Sequence, residues 1–267
     1  MLDRLRQRGF EIQFESHAAA ILERDFPAAL ADIEQALLAF DVPITEIIGS
    51  GGGETKGTQR LRKALADLGW PFKTYEIRKT INGVPRESIS HEMDHVKSFE
   101  GGWEGTKDIA IEIEWNNKDP FFDRDLENFK RLHAEGAISV GIVITRATSL
   151  QGRMKEFVAR YAQEQRITSF DDLTRLGIGL TAPQRADLTR RLRRSNDFAA
   201  SWVSVFVASK FGEASTHWRK LMDRVSRGVG SPCPLLLIGF PAEIVSFRPA
   251  EQGTAETVPK EEPISES

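Results

Sequence analysis

Apolar and polar residues alternate strictly along residues 109–115 (IAIEIEW), which predicts a β-strand. Ile109, Ile111, Ile113 and Trp115 fall on one face, and Ala110, Glu112 and Glu114 on the other. After the Asn116-Asn117-Lys118 turn, Asp119 and Asp123 supply the negative charge that a helix start favours. Phe122, Leu126, Phe129 and Leu132 then recur at helical spacing up to Gly136. Residues 137–145 (AISVGIVIT) are almost continuously apolar, the pattern of a strand covered on both faces.

Upstream, the apolar positions of residues 17–40 predict helix, with Pro27 as a break. Residues 44–53 (ITEIIGSGGG) read as a short apolar segment ending in a glycine-rich turn, and residues 58–70 as a helix stopped by Gly69. Alternation around Asn82-Gly83 predicts a hairpin over residues 72–89. Residues 91–97 (HEMDHVK) fit either strand or helix, and residues 99–108 a loop. Downstream, helices are expected at 154–165, 182–194 and 217–225, and strands at 202–211 (WVSVFVASKF) and 234–240 (PLLLIGF). Residues 248–267 are polar and acidic, with too few apolar positions to pack, and are expected to be a disordered tail behind a single domain at 1–247.

Composition narrows the function classes only a little. The chain has 267 residues and a net charge of −3. A nucleic-acid partner would therefore require the cations to be gathered on one face. A single cysteine, Cys233, excludes an internal disulfide and fits a reducing compartment. The charged N-terminus is unlike a signal peptide, and no apolar run approaches the roughly 20 residues of a membrane span. The expectation is a soluble cytoplasmic protein.

Carboxylates at i and i+2 of a strand share one face, roughly 7 Å apart. Glu112 and Glu114 are thus spaced to line one divalent-cation site, and hard cations such as magnesium take carboxylates, waters and phosphate oxygens. Asp94 comes alongside if 91–97 is the neighbouring antiparallel strand. The plainer reading puts the two glutamates on the solvated face of a half-exposed strand. Against it, the helix and apolar strand that follow place residues 109–115 inside a sheet, where two acids on one face need a reason. A competing motif overlaps: His91-Glu92-Met93-Asp94-His95 matches HExxH, in which a helix presents two histidines to zinc and Glu92 acts as base.

Residues 91–97, 109–133 and 136–146 together resemble the BglII-like type II restriction endonucleases of the PD-(D/E)xK nuclease superfamily. In element order the resemblance runs over residues 51–240, touching 209–221 and 233–240 as well. It implies an α/β fold with a central mixed β-sheet flanked by helices. It assigns Asp94 and Glu112 as acidic metal ligands, with the main-chain carbonyl of Ile113, and Mg2+ as the cofactor. Glu114 stands where most of the superfamily has lysine; a glutamate there can accept a proton from the attacking water if its pKa is raised. Lys118, past the strand end, is a candidate for the missing positive charge, with contact to a phosphate or to solvent as the favoured reading.

The implied reaction is hydrolysis of phosphodiester bonds in a short palindromic site of double-stranded DNA, leaving 5′-phosphates. The implied assembly is a homodimer, and the genetic partner a cognate DNA methyltransferase. Candidate DNA contacts are Asn116, Asn117, Lys118, Arg146, Lys210, Thr216 and His217. The charged helix at 123–133, with its Phe122/Phe129 stripe, is a candidate dimer interface or equally a sheet-packing core helix, and Glu54 or Glu76 a candidate addition to the metal site. Two alternatives stay open: a zinc metallopeptidase, and a catalytically silent DNA-binding protein of the same fold.

Overall fold

The computed structural model describes residues 1–49, 55–100 and 106–247. Glu54, the Gly101-Gly102 loop and the acidic tail at 248–267 lie outside the described residues. In chain order the elements begin with α1 (Asp3–Gln7), β1 (Glu11–Glu15), α2 (Ala18–Asp25), α3 (Pro27–Leu38), β2 (Val42–Pro43), α4 (Ile44–Gly49) and α5 (Lys56–Asp67). Next come β3 (Lys73–Ile81), β4 (Val84–Met93), β5 (His95–Glu100), β6 (Thr106–Glu114), α6 (Phe121–Ala134) and β7 (Ile138–Arg146). The chain continues with α7 (Thr148–Glu164), α8 (Phe170–Arg175), α9 (Ala182–Leu192), α10 (Phe198–Lys210), α11 (Trp218–Ser226), β8 (Leu235–Phe240) and β9 (Val245–Ser246).

A five-stranded mixed sheet in the order β1-β8-β7-β6-β5 organises the molecule. Its middle, β8-β7-β6, is parallel, and both edge strands run antiparallel to their neighbours. Parallel strands need covered faces, which is why β7 and β8 are apolar almost throughout. One face, with Ile109, Ile111 and Ile113 of β6, Trp115 just beyond it and Ile142 of β7, packs in a large core with residues of α3, α5, α7 and α10. The other, with Ala110 of β6 and Val143 of β7, packs under Phe122, Leu126, Phe129 and Leu132 of α6 and Leu221 of α11.

Alpha6 lies close on the sheet because Gly141 has no side chain. A Cβ there would stand 2.5 Å from Cδ2 of Phe129. Phe129 is fully buried, and cutting it to alanine would cost about 3–5 kcal/mol. The Phe122/Phe129 stripe is therefore spent inside the chain. Of the two readings of this stripe, sheet-packing core is the one formed, and the outward, charged side of α6 remains for a partner.

The break expected at Pro27 is there: α2 ends at Asp25, and Pro27 opens α3, where its missing N–H costs nothing. Other local expectations change. Residues 44–49 form helix α4, with Ile44, Ile47 and Ile48 turned inward, where an apolar segment without assigned structure was expected. Residues 202–211 were expected to be a strand but belong largely to helix α10, capped by the Asp197 carboxylate accepting from Ala200 N. Alpha10 packs against α7 and α9, so its apolar residues are not confined to one narrow stripe. A run that is buried on several sides carries no helical period for the eye to find. Residues 91–97 are strand, bend and strand: β4 ends at Met93, Asp94 forms the bend, and β5 begins at His95. Beta3 and β4 form the expected hairpin, with Asn82 and Gly83 both at positive φ in its turn.

Candidate active site

Beta6 presents Glu112 and Glu114 on the face that α6 covers, so neither reaches open solvent; they are 4% and 2% exposed. Beta5 pairs with β6 only up to His95↔Ile111. Beyond that point the bend at Asp94 fills the gap, and Asp94 Oδ2 accepts the Ile113 N–H at 3.2 Å. In a ladder, the N–H and C=O of one residue face the same neighbour. The Ile113 carbonyl is thus directed to the Asp94 side, whereas the Glu114 carbonyl faces β7 and accepts from Thr145 Oγ1 at 2.7 Å.

The carboxylates form two linked pairs. Glu112 stands beside Asp94, and Glu114 beside Asp125 of α6. Burial, then the charges of Asp94 and Asp125, push the Glu112 carboxyl well above the ordinary carboxylate range. Burial and the Asp125 charge raise Glu114 to about 9, against the opposing hydrogen bond from Asn117 Nδ2 at 2.8 Å. Asp125 is also raised by burial, and its neighbour Arg124 only partly offsets this. Arg124 binds Asp125 Oδ1 through Nε at 2.8 Å and Nη2 at 2.7 Å, and its Nη2 lies 3.9 Å from Glu114 Oε1.

A cavity of about 370 Å³ opens over this group, lined among others by Asp94, Glu112, Arg124, His91 and Asn128. Asp94 is also paired with Arg62 of α5, a helix aimed by its Thr55 cap, whose side chain accepts from Thr58 N. Sequence reasoning missed Arg62, Arg124 and Asp125. For Asp125 a signal was present: it falls on the inward stripe of α6 with Phe122, Leu126 and Phe129, where a charge is out of place.

The helix required by HExxH is not formed. His91 faces Tyr75 across the β3–β4 hairpin, and His95 faces Ile111 across the β5–β6 pair. The His95 ring is tied through Nδ1 to the Trp70 carbonyl at 2.7 Å. The two histidines therefore do not line one helical face, and the zinc-peptidase geometry is withdrawn. Glu76 is exposed on β3 and bonded to Arg78 and Ser88, and it is not among the residues that line the cavity.

The candidate DNA contacts divide by exposure. Asn117 and Lys118 are exposed and Asn116 half-buried, in the turn after β6; Lys210 is half-buried at the end of α10. Arg146, Thr216 and His217 are buried, so their side chains face the interior. Arg146 donates to the Trp115 carbonyl through Nη1 at 2.5 Å, to Ser215 Oγ at 2.8 Å and to Gln151 Oε1 at 3.1 Å. Burial holds its pKa down to about 9 and, with the charge of Arg146 nearby, takes His217 down to about 4. The segments on either side are stitched together: Thr216 N donates to Asn117 O, Asp119 N donates to Ala214 O, and Lys118 bridges Ser215.

The donor set fits a hard divalent cation. Every candidate ligand atom is an oxygen, and the Asp94–Glu112 pair is held together in a buried place where two negative charges repel. Among the described residues no three His, Cys, Asp or Glu side chains already converge as ligands, so the fit rests on these two carboxylates and the Ile113 carbonyl.

No curated protein matches the chain. A family model described as restriction endonuclease BglII/BglIII matches residues 10–240. The match spans the central sheet from β1 to β8 and contains Asp94, Glu112, Glu114 and Asp125. The sheet, its covering helices and this match together make the fold that of the PD-(D/E)xK nucleases, and the chain belongs to the BglII/BglIII restriction endonuclease family.

Proposed function

We propose that the protein is a type II site-specific endonuclease that hydrolyses phosphodiester bonds in double-stranded DNA with a divalent cation, Mg2+ by its chemistry. The observation that carries the reading is the gathering of four carboxylates, three of them buried and two on the central strand β6, with Asp94 and Glu112 lining a cavity. A stable core gains nothing from acids that burial forces to take up protons. A cation and a phosphodiester give such a group a purpose.

Asp94, Glu112 and the Ile113 carbonyl would hold the cation. When bound, it would supply polarisation of the scissile phosphate and a lowered pKa for the attacking water. With the cation bound, the raised pKa of Glu114 would be drawn down, freeing its carboxylate, which accepts from Asn117 and stands beside Asp125, to take the proton from that water. In-line attack then expels the 3′ oxygen and leaves a 5′-phosphate. Asn116, Asn117 and Lys118 lie in the turn directly after the acidic strand and are offered as DNA contacts, with Lys210 as a more distant one. Symmetric action on a palindrome calls for a homodimer, and a host carrying the enzyme calls for a methyltransferase that protects the same site.

The test is incubation of the purified protein with phage or plasmid DNA and Mg2+. Discrete fragments with 5′-phosphate ends that vanish with EDTA support the reading. Intact DNA under these conditions, with retained DNA binding, would turn it into a silent binder.

A further inference from the structure

Glu114 leaves a chemical gap. Where a lysine at this strand position would place a positive charge beside the scissile phosphate, this chain places a fourth carboxyl in a group that already holds Asp94, Glu112 and Asp125. Negative charge grows on the phosphate oxygens during attack, so a cation is needed within reach of them. Lys118 is exposed in the turn beyond β6 and is not among the cavity's lining residues. Arg62 is spent on Asp94.

Resting on the nuclease reading, we propose that Arg124 is a catalytic residue that binds a non-bridging oxygen of the scissile phosphate and takes over the charge role that the strand does not provide. Three observations carry this. First, Arg124 is the one lysine or arginine among the described residues that line the cavity holding Asp94 and Glu112. Second, it is pre-aimed. Asp125 grips Nε and Nη2, and the Phe121 ring lies 4.5 Å from the guanidinium carbon. That leaves Nη1 as the donor available to a ligand, on a side chain still 55% exposed. A planar fork with one edge fixed loses little freedom when the other binds a phosphate. Third, its place is otherwise unfavourable. Arg124 stands in the first helical turns of α6, where the helix dipole disfavours a cation, while the wholly buried Asp125 beside it is retained as its anchor. Asp125 thus serves as a positioning residue that links Arg124 to Glu114.

The test uses the full chain and a DNA fragment that the wild-type protein cuts, in single-turnover cleavage with Mg2+ and in binding with Ca2+. R124A and R124Q are compared, the glutamine keeping a donor toward Asp125 without the charge. The expected result is cleavage slower by about 100-fold or more, with DNA affinity within a few-fold of wild type, cooperative melting that shows a folded protein, and partial recovery on adding guanidinium ion at non-denaturing concentration. Cleavage by either folded variant within about threefold of wild type would overturn the assignment. So would full restoration of R124Q by a second change, D125N, since Arg124 would then be only the counter-ion of Asp125. A wild-type protein that leaves all DNA intact defeats the nuclease reading itself, and the role of Arg124 falls with it; an active wild type beside an equally active R124Q defeats this inference alone.

Discussion

The two ends of β6 bury acids in opposite ways. At its start, Asp108 is 7% exposed and receives hydrogen bonds from Lys73, Tyr75 and Ser98. Burial alone would raise its pKa, but these donors outweigh it and hold the carboxyl below its ordinary value. Four residues on, Glu112 meets Asp94 and Asp125 in place of a lysine, and burial and like charge raise it. The same strand thus carries one acid that the chain has fully satisfied and a second group that it has not. Asp108 pins the β3–β4 hairpin to the sheet. The Glu112 end keeps a charge deficit that something outside the chain must fill.

The sharpest way to break the comparison is at the deficient end. E112Q should abolish Mg2+-dependent DNA cleavage, with a loss on the order of a thousandfold or more, while the protein still binds DNA. Metal-dependent cleavage by E112Q near the wild-type rate would show that the buried acids are structural after all.

A pH series reads the same deficit without any substrate. Glu114 is raised in the folded protein, so the fold binds a proton that the unfolded chain has already lost between the ordinary carboxylate value and about 9. Stability from this source is complete below the unfolded value and is lost as pH rises through that window. Glu112 and Asp125 are shifted the same way. In EDTA, therefore, the melting temperature should fall between about pH 5 and pH 9, Mg2+ or Mn2+ should flatten the fall, and E114Q should shrink it. A melting temperature that climbs steadily across this range in EDTA would contradict the raised values.

The satisfied end gives a smaller effect of a different kind. D108N leaves Lys73 without its charge partner and weakens the bonds from Tyr75 and Ser98, costing about 1–3 kcal/mol and several degrees of melting temperature. Cleavage per folded molecule should be unchanged; a collapse of activity with normal melting would mean that the two ends of β6 are coupled. Smallest of all, N117A removes one hydrogen bond from Glu114 and should slow cleavage by only about 3–10-fold, measured under single-turnover conditions.

How much of this could be seen in the sequence depended on whether a pattern has a period. The alternation of β6 alone puts Ile111 and Glu112 on opposite faces, and both are buried on those faces. The hairpin around Asn82-Gly83 and the doubly covered β7 were legible for the same reason. Alpha10 was not, because its Val203, Val205 and Phe206 meet neighbours on several sides and mimic a strand. Long-range partners were also out of reach: nothing near Asp94 in the sequence points to Arg62, and the buried fate of Arg146 depends on Ser215, far along the chain. Asp125 was legible in principle, as a charge on an apolar stripe, but its link to Glu114 belongs to the packing of α6 on the sheet.

The turn after β6 and the segment before α11 are joined by backbone hydrogen bonds and by the buried guanidinium of Arg146, which caps Trp115 and Ser215 together. On the proposed contacts of Asn116, Asn117 and Lys118 with DNA, these two segments would act as a single replaceable cassette. A graft of residues 116–119 alone would arrive without the strap that holds it. New specificity would have to be introduced as a matched pair of segments, with Arg146 kept as the rivet between them.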